Sequence, residues 1–174
     1  PMHRGEAGVT RLNAALRDAL NPAGGPDSLA PPSPTGAPFR PGDKVMQVRN
    51  DYDRDVFNGD IGVVKAVDAE EGRVEVDFDG TLVTYDAEGQ GALDLAYAVS
   101  VHKAQGGEQA AVVLALATAH YVLLQRNLLY TAITRARRLV VIVGHPRAIA
   151  RAVENAQAAT RYTRLAERLR AVVT

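Results

Sequence analysis

Two short stretches of this 174-residue chain concentrate side chains that handle phosphate. In the first, residues 100–108, Ser100, His102, Lys103, Gln105, Gly106, Gly107 and Glu108 stand within nine positions. Hydroxyl, imidazole and ammonium groups are the ones phosphodiester oxygens commonly meet. Gly106-Gly107 lets backbone amides approach an anion closely. The second stretch closes with Arg135, Arg137 and Arg138. Arginine suits charge developing on a transferring phosphoryl group. The plainer account of the arginines is a cationic helix end facing the negative end of the helix dipole. For the first stretch it is a polar strand-to-helix turn.

Those residues need elements to hold them. Tyr121, Leu124, Leu128, Leu129, Ala132, Ile133 and Ala136 recur at three- and four-residue spacing, which predicts a helix whose last turn carries the arginines. On that helix Arg135 falls about 120° to one side of Leu129 and Arg137 about 80° to the other, so the two have different tasks. Thr134 is expected to bond a backbone carbonyl. The apolar run 139–143, closed by Gly144, reads as a buried strand. Residues 96–101 and 111–116 read as two more, which sets the 100–108 loop at a strand's carboxyl end, where parallel α/β sheets bind ligands. Proline near the first turn predicts a helix over 145–157, and an amphipathic pattern predicts another over 162–172.

Upstream the pattern changes. Residues 8–20 read as a helix with Val9, Leu12, Leu16, Ala19 and Leu20 on its apolar stripe. Residues 21–38 are rich in proline, glycine and serine and read as a linker or surface loop. From Arg40 the period becomes two. Strands are predicted at 44–49, 61–67, 73–78 and 81–85, with Asp79-Gly80 as a hairpin signal. Short antiparallel strands at this spacing suggest a small barrel or curled sheet. Beyond residue 91 the alternation of strands and helices implies a largely parallel α/β sheet.

The formal net charge is zero, yet it is segregated. Residues 38–90 hold 6 basic and 13 acidic side chains, and residues 91–174 hold 11 and 4. An anionic partner for the second half is the reading this asymmetry favours. No run is long and apolar enough to cross a bilayer and no signal segment leads the chain, so a cytoplasmic location and no membrane partner are expected. There are no cysteines, and the four histidines lack ligand spacing, so no metal site is assigned.

Residues 98–108, Ala-Val-Ser-Val-His-Lys-Ala-Gln-Gly-Gly-Glu, resemble motif V of superfamily 1 helicases. Residues 130–137, Tyr-Thr-Ala-Ile-Thr-Arg-Ala-Arg, resemble their motif VI. Residues 8–22 and 44–62, the latter with Asn50-Asp51-Tyr52 and Asn58-Gly59-Asp60, resemble the RecD-like branch. The resemblance implies a second RecA-like motor domain, a largely parallel sheet flanked by helices, over 1–42 and 86–174. It also implies an inserted small antiparallel β-barrel of the Src-homology-3 kind over 43–85, with part of 43–62 available to the motor sheet. By the same resemblance Arg135 is the arginine finger on the γ-phosphate of ATP. Gly106, Gly107 and Glu108 lie toward the nucleotide, and Ser100, His102 and Lys103 hold the single-stranded DNA backbone. Gln105 links the two sites. Unwinding would run 5′ to 3′, in DNA repair or recombination. A serine stands at Ser100 where threonine is commoner, and it keeps the hydroxyl.

The chain contains no Gly-x-x-x-x-Gly-Lys-Ser/Thr phosphate loop and no apolar strand ending in paired carboxylates. ATP and magnesium are therefore expected to be bound mainly by an N-terminal motor domain of the same polypeptide, and these residues alone are expected to be inactive. A start at Pro1 agrees with a piece of something longer. The competing readings are a non-catalytic DNA- or peptide-binding module on a degenerate helicase fold, and an unrelated phosphate-binding α/β domain. A protein partner for the acidic barrel is a further expectation.

Overall fold

A computed structural model describes residues 7–22, 39–156 and Arg170. Apart from Arg170, the helix expected at 162–172 lies outside these residues, as does most of the 21–38 linker.

Five strands form one antiparallel sheet: β1 (Lys44–Gln47), β2 (Ile61–Asp68), β3 (Arg73–Phe78), β4 (Thr81–Tyr85) and β5 (Leu93–Leu95), in the order β4-β3-β2-β1-β5. Period-two patterning builds it. Val74, Val76 and Phe78 of β3 point to the same core as Val83 and Tyr85 of β4, while their neighbours face outward. The β3–β4 hairpin closes on Asp79 and Gly80, both at positive φ (50° and 98°), and Asp77 Oδ1 accepts the Gly80 amide at 2.7 Å. A register shift between Val64 and Ala66 bends β2. Inside, the Tyr85 hydroxyl donates to Gln47 Oε1 at 3.0 Å, and burial pushes the Tyr85 phenol up to about 12.

A second, smaller unit follows. Strands β6 (Gln109–Leu116) and β7 (Ala136–Gly144) pair in parallel, with α2 (Arg126–Ile133) as their crossover and α3 (Pro146–Glu154) after β7. Its core is Leu114, Leu124, Leu129, Ala132, Ala148 and Ala152. His145 caps α3 by accepting the Arg147 amide on Nδ1 at 3.2 Å, with proline at the first helical position. The fold is thus mixed α/β. Among the described residues its parallel part is two strands wide.

Three expectations change. The helix predicted to run to Arg138 is broken into a 3-10 turn (Thr118–Leu123) and the eight-residue α2. Gln125 adopts extended backbone between them, and Asn155 at the end of α3 holds the break open. Its amide donates to the Leu124 carbonyl at 3.0 Å, and its own carbonyl accepts from the Arg126 amide at 2.9 Å. Arg135 therefore sits in the turn after α2, and Arg137 and Arg138 belong to β7, so helical angles do not separate them.

The strand predicted at 96–101 does not form. The chain pairs through β5 and one further bond, from the Ala96 amide to the Lys44 carbonyl, and then runs irregularly into the 100–108 turn. That turn accordingly enters β6 at its amino end.

The helix α1 (Val9–Leu20) forms as predicted, but its buried residues are Asn13 and Arg17, and Leu20 is 70% exposed. Its docking face is polar because what it meets is a carboxylate and a peptide group.

Candidate nucleotide and DNA interface

The two chemistry-bearing stretches meet where β6 and β7 begin. Gln109 is in register with Ala136, and its amide donates to the Arg135 carbonyl at 2.8 Å. Parallel pairing thus places Gly107 and Glu108 beside Arg135 and Arg137. The Arg135 guanidinium donates to the Thr131 carbonyl (3.2 Å), the Gly107 carbonyl (3.3 Å) and the Thr134 hydroxyl (3.4 Å). Thr134 Oγ1 in turn donates to the Thr131 carbonyl at 3.1 Å, the backbone contact expected of it. Arg135 therefore does meet the carbonyl end of a helix, where a cation is favoured, and it also ties that end to the glycine pair.

The charges differ within this cluster. Arg137 Nε pairs with Glu108 Oε2 at 2.8 Å, both side chains being well exposed. All three hydrogen-bond partners of Arg135 are neutral oxygens, and no carboxylate among the described residues forms an ion pair with it. Gly106 has φ of +94°, a conformation that favours glycine, and nothing stands within 4 Å of where a side chain would begin. This face of the turn is open.

The other half of the turn is braced on itself. Ser100 Oγ accepts the Lys103 amide at 3.3 Å and the Ser100 carbonyl accepts the Ala104 amide at 3.1 Å. With its oxygen accepting, the Ser100 hydroxyl keeps its proton to donate outward. His102 and Gln105 are exposed. The Lys103 ammonium is engaged by Asp94 Oδ2 at 2.7 Å, a half-buried pair linking the turn to β5. The Lys103 carbonyl also faces Gly59, in the turn leading into β2. Ser100, His102, Lys103 and Gln105 thus share one turn, and Gly106, Gly107 and Glu108 join it to Arg135.

Sequence reasoning missed the support. Asp43, fully buried, accepts from Arg17 Nε (3.0 Å) and Nη2 (2.6 Å), Asn21 Nδ2 (2.9 Å), the Arg40 amide (2.8 Å) and the Tyr97 hydroxyl (3.0 Å). Burial, with the Asp43 carboxylate facing it, pushes the Tyr97 phenol up. Asn13 bonds both backbone groups of Ala98, its Nδ2 donating to the carbonyl at 2.8 Å and its Oδ1 accepting the amide at 2.9 Å. A signal existed: Asn13, Arg17 and Asn21 are spaced by four and form one polar stripe on a helix. Asp94, the partner of Lys103, had none.

Among the described residues no group of histidine, aspartate and glutamate could hold a metal ion, and no helix is long and apolar enough to cross a membrane.

Comparison with known proteins finds helicase domains over most of this chain. Residues 12–78 match the SH3 domain of ATP-dependent RecD-like DNA helicases, and residues 95–143 match the UvrD-like helicase C-terminal domain. The ATP-dependent RecD2 DNA helicase of Deinococcus radiodurans is 41% identical over 98% of this chain, which covers 23% of that protein. The RecBCD enzyme subunit RecD of Mycolicibacterium smegmatis is 32% identical over 96% of the chain and 28% of its own length. The chain thus spans about a quarter of these relatives. The Pif1 helicase from Bacteroides, in a crystal structure with ADP-AlF3 and single-stranded DNA, aligns over 99% of this chain and 47% of its own at 18% identity. Its TM-score is 0.58, a likeness of fold.

Proposed function

Since this chain carries a RecD-like helicase SH3 domain and a UvrD-like helicase C-terminal domain, we propose that it is the second motor domain of an ATP-dependent 5′-to-3′ DNA helicase. The motor part is residues 1–42 and 86–174 and the inserted barrel is residues 43–85, with β5 returning to the barrel sheet. Arg135 is the arginine finger. The observation that carries this role is electrostatic: Arg135 is held at the glycine pair by neutral oxygens alone, whereas Arg137 is neutralised by Glu108. A guanidinium bonded to carbonyls loses little when a phosphate replaces them, because it has no ion pair to break.

The residues present fit one side of a nucleotide and not a whole site. Arg135, with the open backbone at Gly106 and Gly107, can meet phosphate oxygens, and Glu108 lies at the same edge. The groups that cradle β- and γ-phosphates and hold magnesium are not in this sequence. They belong to an N-terminal motor domain of the same polypeptide, and magnesium there offsets phosphate charge. On the other side of the turn, the Ser100 hydroxyl, His102 and Lys103 contact the phosphates of single-stranded DNA. Gln105, between the two groups, couples them. The acidic barrel, with Tyr52 and Phe57 exposed and packed edge to face at 5.8 Å, takes a protein partner.

The test is Arg135→Ala in the complete helicase. Hydrolysis should fall by about 10³-fold or more, the scale of an arginine finger, with single-stranded DNA affinity nearly unchanged. Equal loss of both would make Arg135 a structural cap of α2. The 174 residues alone should hydrolyse no ATP, and turnover by them that Arg135→Ala abolishes would refute the division of labour.

A further inference from the structure

The turn that carries Ser100 and His102 is braced by its own hydrogen bonds and does not itself form a strand. Beyond Ala96, whose amide still donates to the Lys44 carbonyl of β1 at 2.8 Å, the backbone joins no ladder until Gln109, the start of β6. Its middle is tied to β5 by the Lys103–Asp94 pair, and its backbone is held at two ends. The downstream end is the Gly107 carbonyl on Arg135 and the Gln109 amide on the Arg135 carbonyl. The upstream end is Ala98, two residues before Ser100, where the Asn13 carboxamide takes the part of a neighbouring strand by accepting the amide and donating to the carbonyl.

We propose that Asn13 on α1 is a positioning residue for DNA binding, setting through Ala98 where the Ser100 hydroxyl and the His102 ring stand. This rests on the reading of that turn as a DNA contact.

Asparagine is the residue type the geometry demands. It presents a donor and an acceptor on one planar group. Aspartate keeps the acceptor but sets a carboxylate against the Ala98 carbonyl, and leucine keeps the size while losing both bonds. Asn13 is 6% exposed, so water competes little for these two bonds. Its aim is fixed one turn along α1, where Arg17 is clamped to Asp43, and Asp43 receives the hydroxyl of Tyr97, the neighbour of Ala98. The polar stripe of α1 thus grips two successive residues of the segment that enters the turn. A helix that only filled space would have presented its leucines here. Leu12 and Leu16 are instead only partly buried.

The experiment measures ATP hydrolysis by the complete helicase as single-stranded DNA is titrated. Asn13→Leu should raise the DNA concentration for half-maximal stimulation about tenfold, as expected for two lost hydrogen bonds of ordinary net strength. KM for ATP and kcat at saturating DNA should stay at wild-type values. Asn13→Asp should fall between the two. Should Asn13→Leu fail to fold, Tyr97→Phe, which keeps the ring and loses one bond to Asp43, carries the test with a rise of about two- to threefold. Leu12→Ala serves as the control that weakens α1 without touching Ala98, and it should lower thermal stability with no change in half-saturation. A fall in stability for Asn13→Leu with unchanged half-saturation, or an equal shift in Leu12→Ala, would overturn the inference. Should Ser100→Ala and His102→Ala themselves leave half-saturation unchanged, the DNA reading of the turn falls instead.

Discussion

At the scale of single residues, the buried Arg17–Asp43 pair and Arg135 stand at opposite extremes of how a charge is held. Arg17 and Asp43 are both buried, and Asp43 is saturated by five donors. Such a pair is weak evidence for stability by itself, since taking both charges out of water costs several kcal/mol. Removing one partner is another matter. Asp43→Ala should strand the Arg17 guanidinium and leave the Tyr97 hydroxyl without its acceptor. The expected loss is about 3–5 kcal/mol by urea denaturation, with Asp43→Asn losing less because it keeps an acceptor. A loss under about 1 kcal/mol for Asp43→Ala would mean that water enters and solvates Arg17, as at exposed pairs. Arg135 stands at the other extreme, with its charge directed at carbonyls that a phosphate can replace.

At the scale of elements, the close approach of strands decides what a position tolerates. Gly144 ends β7 opposite Leu116, and a side chain there would collide with the Leu116 carbonyl and Cβ. Gly144→Ala should therefore part the ends of β6 and β7 and cost about 1–3 kcal/mol, as overpacking does. It should be read by thermal unfolding, and an unchanged midpoint would show that the strand ends move apart freely. The antiparallel sheet was legible in advance because alternation at Val74, Val76 and Phe78 and the Asp79-Gly80 turn are local signals. The candidate residues were picked out by type alone, and the structure sets the end of the 100–108 turn beside Arg135. The supports were not, because each depends on a partner distant in sequence. Asn155 breaks the helix expected before Arg126, and Asn13 takes the place of a neighbouring strand beside the segment expected to be a strand at 96–101. Periodicity cannot register a side chain arriving from 85 positions away. The stripe of Val9, Leu12 and Leu16 misled for the same reason, since the surface it docks on is polar.

At the scale of the whole molecule, charge is divided between the two halves, with 6 basic and 13 acidic residues over 38–90 against 11 and 4 over 91–174. The division is not clean where it matters. Asp94 of β5, in the sheet built mostly from the acidic half, holds the Lys103 ammonium of the 100–108 turn at 2.7 Å. A phosphate must compete with that carboxylate before Lys103 can serve it. The pair is half-buried and so of modest strength, worth about 1 kcal/mol or less. Single-stranded DNA should therefore bind these 174 residues weakly, with affinity falling about tenfold between 50 and 200 mM salt if two or three phosphates are neutralised. Asp94→Asn should release the ammonium and tighten binding by about two- to fivefold at low salt while steepening the salt dependence. Lys103→Gln should flatten that dependence, and in the double variant the gain from Asp94→Asn should vanish. Fluorescence anisotropy with a labelled oligonucleotide reads all four proteins across salt. If Asp94→Asn tightens binding equally with and without Lys103, the gain is a general field effect of one less negative charge, and the ion pair does not gate the turn.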